Sequence, residues 1–297
     1  MTATAPTIGS FEIRSTLTGR AKALGLVILY LAVFALLLAI LVFGLAGTGL
    51  APAVRAGRLT PAQSFLRECA DAAAAVLAVV VLAALTREPI SRLGFATKGA
   101  GRNILFGLFT GFALMGGFFG ALSATGGYDF APGALPPGRI LGFAVFYALF
   151  ALAVAVFEET LFRSFILVQL SRAFSFWPAA TITAILFGLA HAGNANEAPL
   201  GLLVAGLGGV VFAYAFRRTG ALWFSIGFHA AMAYSEDFIF GVPDSGNVAT
   251  GAWLHSTIHG PAWLTGGKVG PEGSVLALAL VLTLALVVRF ALPRREA

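Results

Sequence analysis

The chain has 297 residues, of which 59% are hydrophobic and 11% charged, with a mean hydropathy of +0.91. A soluble domain carries about 25% charged residues, so the composition excludes one and points to an integral membrane protein. The net charge of +6 arises from Lys and Arg scattered between apolar runs. That dispersal excludes the continuous basic patch a nucleic-acid partner needs.

Apolar stretches long enough to cross a bilayer, about 17–25 residues each, fall at 23–46, 66–86, 103–123, 139–170, 177–192, 200–217, 219–240 and 274–292. The expected fold is all-α, a polytopic membrane protein with about eight transmembrane helices. Residues 1–22 form a polar cytoplasmic segment, 23–292 the transmembrane domain and 293–297 a cytoplasmic tail. The first stretch is too long for a signal-peptide core and the small-residue site at Ala51-Pro52-Ala53 is weak, so it is expected to stay as an anchor. Arg87, Arg92, Lys98, Arg102, Arg172, Arg217, Arg218 and Arg289 fall on one side and few basic residues on the other. Under the positive-inside rule this puts both termini in the cytoplasm, although Arg55 and Arg58 run against it.

The basic connector 87–102 is expected to hold a short interfacial helix. The fourth stretch is long, which suggests that it tilts or starts outside the hydrocarbon. Gly201, Ala205, Gly208 and Gly209 put small residues on one side of the sixth helix and favour close packing. Gly/Pro-rich loops at 126–137 and 241–271 connect helices, and the second, with Trp253, His255, His259 and Trp263, is placed to cap a cavity. Glu236, Asp237 and Asp244 read as solvated residues near the outer end of the seventh helix. Cys69 is the single cysteine, so an internal disulfide and a cysteine metal cluster are both excluded within one chain.

Against this apolar background, Glu158-Glu159 with Arg163 stands out, because carboxylates at membrane depth are costly and rarely kept without function. Glu159 and Arg163 are four apart and meet on one helix face, whereas Glu158 points about 100° away. A carboxylate beside arginine stays ionised and structural, while an unpaired one in low dielectric suits general acid/base work. Glu158 is thus the expected base, supported by Glu159 and Arg163; the competing reading is one buried ion-pair cluster. His191 ends the run Phe187-Gly188-Leu189-Ala190-His191, with Phe187 one turn earlier on the same face. His229 lies one turn from Ser225, whose hydroxyl is a candidate to fix its tautomer. A lone histidine near a helix end is ordinarily interfacial. At about 1.5 Å rise per residue, however, Glu158, His191 and His229 lie roughly 18, 21 and 15 Å from the cytoplasmic ends of their helices, which favours one shared polar cavity. There Glu158 would take a proton from water, His191 orient it, and His229 donate to the oxygen of a tetrahedral intermediate. Ser164 and Ser225 read as packing hydroxyls. The same glutamate and two histidines would also suffice for Zn²⁺ with a water; no cofactor is the first expectation, and spacing alone does not choose.

These residues resemble the CAAX protease and bacteriocin-processing (CPBP, or Abi) family of intramembrane endopeptidases. Glu158-Glu159-Thr160-Leu161-Phe162-Arg163 is similar to its EExxxR motif, Phe187–His191 to FxxxH, and His229 to the histidine of a third motif; the likeness runs over about 139–292. The resemblance implies water activation by the first glutamate and the second-motif histidine, for hydrolysis of a membrane-embedded or lipid-modified peptide or protein. It also implies an Asn or Asp four residues after the third-motif histidine as an oxyanion donor. Here that position is Ala233, so His229 must act with another group, or activity is weak or absent. Asn194 and Tyr234 are candidate replacements. The Ala/Gly/Arg-rich composition points to a bacterial cell membrane. A noncatalytic immunity-like or scaffold protein is the alternative, and a transporter a lesser one, since paired broken segments and repeated halves are not evident.

Overall fold

The computed structural model describes residues 16–47, 60–194 and 196–293. The N-terminal segment as far as residue 15, the Ala51-Pro52-Ala53 site, Arg55, Arg58 and the tail from residue 294 lie outside the described residues. The elements run α1 (Leu17–Gly47), α2 (Pro61–Thr86), α3 (Ala100–Ala124), β1 (Tyr128–Pro132), α4 (Pro137–Arg163), α5 (Phe165–Phe174), α6 (Phe176–Ala190), α7 (Pro199–Thr219) and α8 (Trp223–Tyr234). A π-helical segment, Ser235–Phe240, then leads to β2 (Pro243–Asp244), β3 (Asn247–Val248), β4 (Leu254–Ile258), α9 (Ala262–Thr265) and α10 (Val275–Ala291). Among the described residues six helical segments, counting α4 with α5, are long and apolar enough to cross a membrane, and α10 is a shorter apolar helix. With α8 and its π extension this is an all-α, multi-pass membrane architecture. Its only strands among the described residues are two short ribbons.

Local chemistry sets the helix ends. Thr60 and Gln63 form a capping box at the start of α2, each closing an otherwise unpaired amide of the other. Proline stands in the first turn of α2, α4 and α7, where its missing N–H has no intrahelical partner to lose. The helix α1 begins at Leu17, six residues before the expected start, and buries only Ala23 and Tyr30. Leu26, Val27, Val33, Phe34 and Leu37 pack half-buried against the core, while Ile28, Leu36, Ile40 and Phe43 face outward, as lipid permits.

The fourth apolar stretch does not simply tilt. It breaks at Ser164 (φ −93°, ψ −112°), separating α4 from the short, thoroughly buried α5. The Ser164 hydroxyl donates to the Leu93 carbonyl at 2.6 Å, so the break is docked onto the 87–102 connector. That connector holds a short 3-10 helix, Ile90–Leu93. It is fixed by Arg172–Glu88 (2.8 Å), by the Leu222 N–H to Gly94 O (2.9 Å) and by the Trp223 indole to Ala96 O (2.7 Å). The expected packing role of Ser164 is thereby given a partner.

Backbone approach dominates the α3–α8 contact. A Cβ at Gly111 would lie 2.6 Å from Ala231 Cβ and 2.9 Å from Phe228 O; at Gly107 it would meet Phe224 O, and at Gly227, Ile104 O. Without a strong hydrophobic drive between helices in lipid, such small-residue contacts supply the packing. Between α6 and α7 the close approach uses Gly188, whose Cβ would lie 2.7 Å from Leu202 O, and Gly209 against Ala184. Of the expected small-residue face, Gly208 borders open space and Gly201 meets only Glu197.

At one end of the bundle β1 pairs antiparallel with β4, Tyr128 opposite Ile258 and Pro132 opposite Leu254. The α3–α4 loop is thereby tied to the α8–α10 loop, and the Tyr128 hydroxyl adds a 2.9 Å bond to Thr265 O. His255 is a strand residue opposite Ala131, and His259 pairs at 3.0 Å with the exposed Asp129.

Replacing Gly227 by Ala should therefore destabilise the protein by about 1–3 kcal/mol, the usual penalty for overpacking. Gly117→Ala, where a Cβ meets no heavy atom within 4 Å, should be neutral or gain about 0.5–1 kcal/mol from helix propensity. Thermal unfolding of the purified protein in detergent measures both.

Candidate active site

The site grows from the last turns of α4. Glu159 and Arg163 are both fully buried, and Arg163 Nη1 lies 3.3 Å from Glu159 Oε1. The guanidinium sits over the Phe187 ring at 4.0 Å from its centroid, with Phe162 and Phe212 at 5.6 and 5.7 Å. Its Nη2 occupies the space a side chain at Gly209 would fill, 2.7 Å from the position of that Cβ. As the last residue of α4, Arg163 also faces the negative end of its helix dipole. Arginine is thus held by a carboxylate, a helix terminus and aromatic faces, the surroundings in which a delocalised cation is least costly to bury.

Glu159 has a second partner. Its Oε1 also lies 3.3 Å from His229 Nδ1. An ionised carboxylate only accepts, so Nδ1 carries a proton and Nε2 is turned to the other glutamate, 3.5 Å from Glu158 Oε2. His229 is buried and stacks on Phe212 at 5.9 Å, while the Glu158 side chain keeps 19% of its surface open. The candidate partner, Ser225, does not take this role: its buried hydroxyl has no hydrogen-bond partner among the described residues, and Glu159 from another helix orients the ring.

His191 follows α6 in a one-turn 3-10 segment. Its Nδ1 lies 2.8 Å from Phe187 O, and because a carbonyl accepts, Nδ1–H is the donor; in the neutral ring Nε2 then carries the lone pair. The Phe187 ring packs edge-on to the imidazole at 4.7 Å and carries Arg163 on its face, so Phe187 couples the α4 and α6 contributions. Among the described residues His191 makes no direct contact with Glu158 or His229. Asn194 closes the turn through its backbone N–H to His191 O at 2.9 Å. Tyr234 packs its ring against Phe112 and Phe238. Ala233 is buried.

The acidic residues beyond α8 depart from expectation. Glu236 and Asp237 are 4% and 6% exposed, not solvated. Asp244, the second residue of β2, is half-buried. Burial, then Glu158, push its carboxyl above the usual aspartate range; His229, Ser245 and His191 act the other way. Glu272 accepts the Ser245 N–H at 2.7 Å through Oε1, while its Oε2 has no hydrogen-bond partner among the described residues. Burial, then Asp244, hold Glu272 well above the glutamate range. The sequence did signal a turn at Pro243-Asp244-Ser245-Gly246-Asn247, but a turn signal says nothing of where the loop folds back. Among the described residues, no three His, Cys, Asp or Glu side chains are arranged to ligate a metal ion.

Residues 140–235 match the model of the Rce1-like family, described as type II CAAX prenyl endopeptidase Rce1-like. The match contains Glu158, Glu159, Arg163, Phe187, His191 and His229, and stops before Glu236. No curated protein matches the chain.

Arg163→Met should cost about 3–5 kcal/mol, the consequence of leaving Glu159 buried and unpaired. Adding Glu159→Leu should recover most of that loss in detergent unfolding. Glu272→Gln probes the acidic side. A carboxyl whose folded pKa exceeds its unfolded value loses stability as pH rises from the unfolded toward the folded value. The variant should therefore match wild type at acid pH and unfold at a higher temperature at alkaline pH.

Proposed function

From a chain that carries an Rce1-like domain over residues 140–235, we propose an intramembrane endopeptidase in which Glu158 activates the attacking water. The observation that carries this reading is the Glu158–His229–Glu159–Arg163 chain, in which one carboxylate is tied to arginine and the other is left partly open. Glu158 takes a proton from water, and the resulting hydroxide attacks the scissile carbonyl carbon. His191, with the Nε2 lone pair left free by its bond to Phe187 O, orients that water. Doubly protonated, His229 donates from Nδ1 to Glu159 and from Nε2 toward the developing oxyanion. Collapse of the tetrahedral intermediate expels the amine, which receives the proton from Glu158. The partners are the bilayer and a membrane-embedded or lipid-modified peptide or protein.

The transmembrane domain is taken as 23–292 with its protease core at about 139–292, both termini in the cytoplasm, and a bacterial cell membrane as its location. Ala233 favours one second reading, a noncatalytic immunity-like or scaffold protein, in which Glu158→Ala leaves protection or partner binding intact.

Glu158→Gln should slow cleavage by about 10²–10⁴-fold, the usual worth of a general base. Quantitative comparison of membrane-protein termini in cells expressing wild type or Glu158→Gln measures this and identifies the substrate. Identical termini in both would sink the peptidase reading.

A further inference from the structure

In the reaction above, His229 keeps one ring nitrogen on Glu159 and aims the other at the developing oxyanion. Its contacts to the two carboxylates are long, 3.3 Å from Nδ1 to Glu159 Oε1 and 3.5 Å from Nε2 to Glu158 Oε2. A firm N–H···O bond spans about 2.7–3.2 Å. Contacts longer than that oppose a swing of the ring about its Cβ–Cγ bond only weakly, and such a swing turns Nε2 off target. A further constraint comes from α7.

The face of Phe212 lies nearly parallel to the imidazole, at an interplanar angle of 20° with ring centroids 5.9 Å apart. The same ring has the Arg163 guanidinium carbon 5.7 Å from its centroid, inside the roughly 6 Å over which an aromatic face attracts a cation. Phe212 thus flanks both groups that share Glu159 Oε1. It sits one turn after Gly209, whose missing side chain leaves room for Arg163 Nη2, so one face of α7 admits the guanidinium and covers the histidine. Phe212 is itself held. It is buried, packs edge-on to Phe228 at 5.8 Å, and belongs to a cluster with Phe224 and Phe228 of α8 and Leu284 and Val288 of α10. Three helices therefore fix the histidine in three ways. Gly107 and Gly111 of α3 seat the α8 backbone, Glu159 of α4 directs Nδ1, and Phe212 of α7 lies along the ring plane.

We propose that Phe212 is a positioning residue for the reaction, its ring holding the plane of the His229 imidazole so that Nε2 stays aimed at the substrate oxyanion. The assignment rests on the peptidase reading above. Phe212 lies outside the stretches that carry the family resemblance, Glu158–Arg163, Phe187–His191 and His229. It touches no reacting atom and moves no proton. An offset stack with centroids about 4.5–7 Å apart is a preferred aromatic arrangement, and it resists tilting where a branched aliphatic side chain does not. Ala233, one turn after His229, brings no polar side chain, which raises what a misdirected imidazole costs.

The test uses membranes from cells expressing the full chain and follows how fast Glu158-dependent membrane-protein termini appear, normalised to folded protein. Phe212→Leu, which keeps apolar bulk without a ring, should slow cleavage about 10²-fold, the scale of a misplaced catalytic group. Phe212→Tyr, which keeps the ring face, should stay within about tenfold of wild type. His229→Gln should itself be slower by about 10²–10³-fold. Adding Phe212→Leu to it should cost less than about threefold more, because the group through which Phe212 acts is gone. A role confined to packing would instead slow both backgrounds by the same factor. If Phe212→Leu keeps pace with wild type, or slows His229→Gln as much as it slows wild type, or if Phe212→Tyr is as slow as Phe212→Leu, the assignment is overturned while Glu158-dependent cleavage stands. If no terminus depends on Glu158, the peptidase reading fails and takes the role of Phe212 with it.

Discussion

The buried pair of Glu159 and Arg163 is the constraint around which the helices are arranged. Neither side chain reaches solvent, so each must find its partners inside the bundle. Arg163 draws Phe187 from α6 and Phe212 and Gly209 from α7, and Glu159 draws His229 from α8. Four helices are positioned by one ion pair. Replacing the pair by apolar residues would keep the packing and lose what orients the histidine. The polar solution is therefore better understood as specifying geometry than as adding stability.

The two adjacent glutamates divide their work by helical angle alone. One turn of α-helix carries Glu159 onto Arg163 and leaves Glu158 on the neighbouring face, where part of its surface stays open. His229 then spans the 100° between them, one ring nitrogen to each carboxylate. A single imidazole bridging two adjacent carboxylates ties the state of one to the state of the other. The fully enclosed member of the pair sets the orientation, and the open member is left for chemistry.

Much of this was legible from residue spacing, and the reasons for the exceptions are physical. The six long apolar segments and the shorter α10 follow from length and hydropathy, and the Glu159–Arg163 contact from a separation of four. The break at Ser164 was invisible because Arg163-Ser164-Phe165 contains no helix breaker; it is imposed by a hydroxyl reaching the Leu93 carbonyl 71 residues earlier. Local spacing offers His229 only residues on its own helix, such as Ser225. Glu159, 70 residues away, is the partner instead. Acidic residues near a helix end ordinarily reach solvent, yet Glu236 and Asp237 are buried and Asp244 is half-buried, which no local pattern signals.

The glycine contact between α3 and α8 bears on how this chain is able to vary. Leu105 and Phe109 on α3 project outward, whereas Gly107 and Gly111 press against the backbone that carries His229. Residues two apart along one helix therefore live under opposite rules. The outward positions are free to drift in size with the lipid around them, and the inward ones have no smaller residue to become and no room for a larger one. A lineage carrying this fold is able to change membranes by redrawing one face of α3 without disturbing the histidine held behind the other.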